Sequence, residues 1–208
     1  MAMSKVDDLL APVYGRVIPG LYSRAATRTA QRLSAGAPTS VLEVGVGPAH
    51  ILAALAKKNR TAHTVGVDIS KAMLKQARRT LSKKKIEANL VCADGVKLPF
   101  RDAVFEGVVA SFLLDLFQKE KIPDALREML RVLAPGGRIV VASLQVSNPF
   151  LKHAMMFAYR VLPTLVGSRI RPIDFRQFLE GTGLRVLRDE EIPEAAGTRV
   201  LTLVKVVG

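Results

Sequence analysis

The chain has one cysteine in 208 residues, Cys92, which excludes a disulfide framework and a zinc site built from thiolates. No metal is expected. Its setting, Asn89-Leu90-Val91-Cys92-Ala93, predicts a small residue buried in a strand. Unbroken apolar runs are also missing. The N-terminus carries Lys5, Asp7 and Asp8 where a secretory signal needs apolar residues. The apolar stretch from Pro149 to Gly167 is interrupted by Lys152, His153 and Arg160, too much charge for a helix in lipid. The expected location is the cytoplasm, with a peripheral place on the inner face of the membrane still open. Acidic residues are scarce too: 18 Asp and Glu against 31 Lys and Arg leave a formal charge of +13. Such a surface attracts polyanions, whether nucleic acid or anionic lipid headgroups. The charge is uneven. From Lys57 to Lys85 ten basic residues meet one acid, Asp68, which describes either a solvated helix face with a loop or a functional surface.

What is present is the pattern of one α/β domain. Residues 3–33 read as two or three short helices broken at Pro12, Pro19 and Gly20, with Arg16, Arg24, Arg28 and Arg32 among apolar positions. That alternation suits a helix on a membrane surface, a cap over a pocket, or ordinary packing. From Val41, strands and helices alternate. The expected strands are Val41–Val44, His63–Val67, Ala88–Ala93, Val104–Ala110 and Arg138–Ser143. The expected helices are Pro48–Lys58, a helix capped by Ser70 running to about Leu81, and Glu120–Leu133, which the turn Ala134-Pro135-Gly136-Gly137 stops. This alternation predicts a doubly wound parallel sheet with right-handed crossovers. Pro149–Val166 reads as a helical insertion, Ile173–Gly181 as a short helix, and Leu184–Arg188 with Val200–Val206 as an antiparallel hairpin at the sheet edge. The expected organisation is therefore a helical cap (1–36), a cofactor-binding core (37–145), a helical substrate-side insertion (146–182) and a terminal hairpin (183–208).

Chemistry concentrates where strands end. Val41-Leu42-Glu43-Val44 runs into Gly45-Val46-Gly47 and then a helix-compatible stretch, the signature of a strand turning into a helix whose first N–H groups face a ligand. Pro48 suits the first helical position, with Gly47 as N-cap. Asp68 ends the second strand, about 20 residues on, where a carboxylate can accept from both hydroxyls of a ribose. Asp94, before Gly95, ends the third and can accept from an exocyclic amine. Two acids and a glycine loop at neighbouring strand ends describe a nucleoside site. The lack of Lys and Ser/Thr after the loop argues against a P-loop.

The series Leu42-Glu43-Val44-Gly45-Val46-Gly47, Gly66-Val67-Asp68-Ile69-Ser70-Lys71-Ala72-Met73-Leu74, Ala93-Asp94-Gly95 and Arg131-Val132-Leu133-Ala134-Pro135-Gly136-Gly137 resembles class I S-adenosylmethionine-dependent methyltransferases. It is most similar to the small-molecule and lipid branch that holds quinone C-methyltransferases and bacterial phospholipid N-methyltransferases. The resemblance covers residues 40–145 and implies a Rossmann-like seven-stranded sheet with its last strand antiparallel. It also implies S-adenosylmethionine as cofactor. Glu43, Gly45, Val46 and Gly47 would then shape the loop under its methionine part. Asp68 would hold the ribose, Ile69 and Met73 pack on adenine, Asp94 with Gly95 receive the adenine amine, and Ser111 lie near the sulfonium and substrate. One departure is Ala49, where the family usually carries a third glycine.

A sulfonium methyl is already activated, so catalysis is mostly positioning and exclusion of water. Where a nucleophile must lose a proton, Asp115 and Tyr14 are the candidate assistants, and Asp115 reads equally well as a helix N-terminal acid. His153, in the insertion where the substrate pocket is expected, is a third catalytic candidate, and beside Met155 and Met156 it also reads as a simply packed histidine. The basic N-terminal segment and the Phe/Met/Tyr-rich insertion favour a lipid-associated small-molecule acceptor, with an anionic membrane surface as partner for the N-terminal helices. A phospholipid amine headgroup (phosphatidylethanolamine) ranks ahead of a quinone ring, because quinone enzymes typically show Asp-x-Ala-Gly-Gly-Thr-Gly-Asp where this chain has Glu43-Val44-Gly45-Val46-Gly47-Pro48. Arg169, Arg171 and Arg176 could meet a lipid phosphate, and Tyr14 or Tyr159 a methylated ammonium. An RNA methyltransferase is less well supported: no Asn/Asp-Pro-Pro-aromatic motif follows the fourth strand. A non-catalytic module that kept the fold is the third reading.

Overall fold

The computed structural model describes residues 23–60, 62–145, 174–193 and 197–206. The expected N-terminal helices before residue 23 and the insertion 146–173 lie outside them. In chain order the elements are α1 (Ser23–Ser34), β1 (Ser40–Val44), α2 (His50–Lys58), β2 (His63–Asp68), α3 (Lys71–Lys83), β3 (Asn89–Cys92), β4 (Phe105–Ser111), α4 (Ile122–Val132), β5 (Leu133–Leu144), β6 (Leu184–Ile192) and β7 (Thr198–Lys205). Short 3-10 turns lie at Leu114–Leu116, Lys119–Lys121 and Phe175–Phe178.

All seven strands form one sheet in the order β3-β2-β1-β4-β5-β7-β6. β1 to β5 pair in parallel, and β7 runs antiparallel between β5 and β6. This is the doubly wound, Rossmann-like sheet with an antiparallel last strand that the sequence predicts. Each central strand is apolar on both faces because both are covered. Val41, Val109, Val140 and Ala142 pack with Ala30 and Leu33 of α1 and with Ile51 and Leu55 of α2. Leu42, Val44, Val108 and Val141 pack on the other side with Leu126 and Met129 of α4. α1 sits close to the sheet because β4 has Gly107 there; a Cβ would lie 3.1 Å from the Leu33 side chain. Arg32 and Arg28 of α1 also pair with Glu190 of β6.

Four expectations need correction. β5 begins at Leu133, so Ala134–Gly137 is not a turn before the strand but an irregularity within it: register steps from Phe105↔Leu133 to Gly107↔Arg138, leaving extra residues that Gly136 accommodates at φ 76. The short helix expected over Ile173–Gly181 is a four-residue 3-10 helix at Phe175–Phe178, capped by Asp174. β6 continues past Arg188 to Ile192, because an edge strand accepts charged side chains along its exposed face. Cys92 is exposed. β3 is the other edge of the sheet, so its apolar run is half-covered rather than buried.

The connection from β3 to β4 carries Asp94 and Gly95, and α4 holds its far end in place. Arg131 donates to the carbonyls of Leu98 (3.1 Å) and Phe100 (2.8 Å) and pairs with Asp102 and Glu128. Glu128 in turn accepts from Leu98 N–H at 2.8 Å.

Candidate active site

The site lies at the C-terminal ends of β1, β2, β3 and β4. After Val44 the chain turns through Gly45 (φ 71) and Gly47 (φ 47). Gly45 and Val46 N–H groups both donate to Val67 O, at 2.8 and 2.9 Å, fastening the loop to β2. Asp68 completes the tie: Gly47 N–H donates to Oδ2 and Ser70 N–H to Oδ1, each at 2.8 Å. One carboxylate therefore joins the glycine loop to the start of α3, where Ser70 Oγ accepts from Met73 N–H as N-cap. Burial pushes the Asp68 carboxyl up, against N–H groups of Ser70, Gly47 and Ile69 that pull it down.

Pro48 is not the first helical residue. α2 begins at His50, and its N-cap is Ala49 in the left-handed region at φ 61. Three terms act on this alanine, one against it and two in its favour. The left-handed backbone costs a non-glycine residue about 1–2 kcal/mol. Its methyl, however, is fully buried among Leu52, Leu74 and Ala77, worth about 0.8 kcal/mol, and alanine loses less chain entropy on folding than glycine by about 0.4–1 kcal/mol. The terms nearly cancel, which explains how the loop tolerates alanine where a third glycine is usual. Ala49→Gly is accordingly expected to leave stability unchanged to within about 0.5 kcal/mol, measured by denaturant unfolding; a larger gain or loss would mean that one term dominates.

Glu43 is buried in β1, and its Oε2 has no hydrogen-bond partner among the described residues. Burial drives its carboxyl well above the usual range, a backbone hydrogen bond from Leu52 opposes this, and the Asp68 charge adds to it. Glu43 thus lies beneath the loop. Val46 is buried against Ala49, Leu52 and Leu74, so only its backbone can meet a ligand. Ile69 is 43% exposed at the rim, Met73 is half-buried on the first turn of α3, and Asp94 is half-buried with Oδ1 accepting from Val96 N–H at 3.1 Å. Ser111, the last residue of β4, has a buried Oγ without a partner among the described residues.

Asp115 sits in the 3-10 turn after β4, 1% exposed. Leu144 N–H, at the end of β5, donates to its Oδ2 at 3.3 Å, and Oδ1 has no partner among the described residues. Burial holds this carboxyl well above the carboxylate range. Tyr14, Tyr159, His153, Arg169 and Arg171 lie outside the described residues. Arg176 is not free for a phosphate, being engaged by Asp174 and Asp189.

Two residues of the site escape the motifs. Leu113 bridges the glycine loops: a Cβ at Gly45 would lie 2.6 Å from its Cδ1, and one at Gly95 would lie 3.8 Å from its Cδ2. Phe117 closes on Gly95 as well, at 3.4 Å. Gly45 has no room for a side chain because Leu113 covers it, whereas a Cβ at Gly47 would meet nothing within 4 Å. Open backbone at Gly47, acids at adjacent strand ends, an exposed apolar residue beside one of them and an orphaned hydroxyl on β4 fit a nucleoside joined to a charged, polar chain. S-adenosylmethionine has that composition. Among the described residues no group of His, Cys, Asp or Glu is arranged to hold a metal, and no helix is long and apolar enough to cross a membrane.

The fold and the motifs at these strand ends are similar to those of class I S-adenosylmethionine-dependent methyltransferases. The methyltransferase domain model matches residues 41–137. Over 125 residues the chain is 35% identical to the demethylmenaquinone methyltransferase of Thermus thermophilus, covering 60% of this chain and 54% of that protein. It is 33% identical to the ubiquinone/menaquinone biosynthesis C-methyltransferase UbiE of Dinoroseobacter shibae, covering 67% and 54%. The chain thus spans about half the length of the curated relatives it matches. A crystal structure of a putative S-adenosylmethionine-dependent methyltransferase from Methanococcus maripaludis shares the fold, with a TM-score of 0.71 at 19% identity over 100% of this chain and 97% of that one.

Proposed function

We propose that this chain methylates a ring carbon of a hydrophobic hydroquinone. The observation that carries this reading is its likeness, at 33–35% identity, to two proteins named for quinone methylation. It displaces the phospholipid amine favoured by the first motif alone, since divergence in one loop weighs less than likeness across 125 residues or more. The engagement of Arg176 by two carboxylates also removes one candidate for a lipid phosphate.

When bound, S-adenosylmethionine supplies a sulfonium methyl that needs no further activation. In this reading Asp68 holds the ribose hydroxyls, Asp94 and Gly95 the adenine amine, and Ile69 and Met73 the faces of the base. Gly45 and Gly47 let the backbone approach the methionine part, above buried Glu43. Ser111 faces the reacting groups, and Leu113 with Phe117 keeps water out. The ring carbon would take the methyl as the S–CH3 bond breaks, its electron pair returning to sulfur to leave a neutral thioether product, and the ring hydrogen would leave as a proton. Asp115 Oδ1, unpartnered among the described residues and held at raised pKa by burial, is the group suited to accept a proton from the quinol.

The test supplies methyl-labelled cofactor with reduced demethylmenaquinone, a reduced benzoquinone precursor, phosphatidylethanolamine vesicles and total RNA in parallel. Label is expected in a quinol, on carbon. Label confined to phospholipid or RNA, or in none of the four, would overturn the reading.

A further inference from the structure

The basic run 57–85 folds onto one surface. α3 buries Leu74, Ala77 and Leu81 and leaves Lys71, Lys75, Arg78, Arg79 and Lys83 exposed. Lys84 and Lys85 continue that face beyond the helix, and Lys57, Lys58 and Arg60 at the end of α2 are exposed next to it. None of the ten basic side chains forms a salt bridge with a described residue. On other elements, by contrast, Arg28, Arg32, Arg131, Arg176 and Arg199 all have carboxylate partners. Unneutralised charge at this density is costly unless an anion meets it. Near the base of α3 the surface is concave: Arg60 and Arg78 line a cavity of about 690 Å³ together with His63, Ser82, Glu87 and Asn89. That cavity lies at the opposite end of β2 from Asp68, so it is separate from the cofactor site.

We infer that the α3 face, with the end of α2, is a docking surface for an anionic lipid bilayer. Charge complementarity identifies a polyanion, and the composition of the face selects which. Between Lys57 and Leu90 there is no Phe, Tyr or Trp on which a base could stack, whereas single-stranded nucleic acid is usually held by such platforms. Seven of the ten cations are lysines, which act as point charges suited to a field of headgroups rather than to bidentate readout. The choice also rests on the quinol reading above, since an acceptor of that kind is dissolved in a membrane. The geometry agrees with that use: α3 begins two residues after exposed Ile69, so a bilayer lying along the helix meets the rim of the site.

The experiment reads co-sedimentation of the full chain with phosphatidylglycerol-containing vesicles, with pure phosphatidylcholine vesicles, and with a single-stranded RNA oligonucleotide in competition. The test variant carries Lys75→Glu, Arg79→Glu, Lys83→Glu and Lys84→Glu. A control of equal net charge carries Arg101→Glu, Lys119→Glu, Arg185→Glu and Lys205→Glu, all exposed and away from the face. Wild type and control are expected to bind the anionic vesicles in a salt-sensitive way and to leave the neutral ones alone. The test variant is expected to bind about 1,000-fold less tightly, with its thermal midpoint and its turnover of a water-soluble short-chain quinol unchanged. Equal loss in both variants, no binding by wild type, or displacement of vesicles by RNA would overturn the docking surface. Vesicle binding without quinol methylation would leave docking standing and remove the acceptor reading; quinol methylation without vesicle binding would do the reverse.

Discussion

Asp68→Ala is expected to weaken binding of S-adenosylmethionine, and of its demethylated product, by about 100-fold, close to 3 kcal/mol. Two losses add. The proposed charged acceptor for two ribose hydroxyls disappears, and hydrogen bonds to charged groups contribute about 1.5–3 kcal/mol each. The same substitution unties the loop, because Gly47 N–H and Ser70 N–H both donate to this carboxylate. Asp68→Asn separates the two: one amide oxygen can still accept from Gly47 or Ser70, while its NH2 faces the other N–H, so a smaller loss of about 10-fold is expected. Isothermal titration with the demethylated product measures both. An alanine variant that binds within threefold of wild type, with an unchanged melting midpoint, would remove Asp68 from the cofactor site. Because burial raises the Asp68 carboxyl above its ordinary value, cofactor affinity should also begin to fall at a higher pH on acidification than an exposed aspartate would dictate. Nonpolar variants at Asp68 should lack that dependence.

The parallel half of the fold is legible because its signals are local and repeated. Val41–Val44 and Val65–Val67 are doubly buried and read as near-continuous apolar runs; Ser70 caps α3 through its own side chain; α4 shows Ile122, Leu126 and Met129 at helical spacing and buries all three. Misreadings fall where the same residues serve two geometries. Ala134-Pro135-Gly136-Gly137 suits a turn and a bulge equally, and only the register of β4 against β5 distinguishes them. Cys92 occupies an apolar strand, but strand order decides that this strand is an edge. Arg188-Asp189-Glu190-Glu191 looks like the end of a strand by composition, and pairing with β7 carries it on to Ile192.

The candidate site divides along the same line. Gly45, Gly47, Asp68 and Asp94 are legible because backbone conformation and strand ends demand those residue types at fixed spacing. Leu113 and Phe117 are ordinary apolar residues in sequence. They reach the glycine loops only because Phe112, at φ 54, redirects the chain after β4 into the 3-10 turn at Leu114–Leu116. A positive φ at an aromatic residue has no composition signal. The helix start at His50 rather than Pro48 has the same origin, in the left-handed conformation of Ala49.

Asp115→Asn is expected to lower turnover by about 10²–10⁴-fold while making the protein more stable at neutral pH. Opposite signs are the diagnostic, and they follow from one environment. The Asp115 carboxyl is buried, accepts one N–H from Leu144 and leaves Oδ1 unpartnered among the described residues. Its pKa is therefore higher folded than unfolded, so the folded chain holds this proton more tightly than the unfolded chain does. Its burial costs little while both states are protonated, below the unfolded value. The cost grows as pH rises through the window between the unfolded and folded values, and is complete above the folded one. Asparagine cannot ionise, and its amide oxygen can still accept from Leu144. The variant should match wild type in acid and exceed it increasingly toward neutral and alkaline pH, by about 1 kcal/mol or roughly 3 °C in Tm. Turnover should follow the reverse course. Wild-type kcat/KM should rise with pH as Asp115 becomes able to accept the quinol proton, and the variant should lack that rise while binding the cofactor normally. A variant that is both less stable and less active, with a wild-type pH profile, would assign Asp115 to packing between β4 and β5. A variant with unchanged turnover would release it from the chemistry and leave proton acceptance to a group elsewhere in the chain or to water.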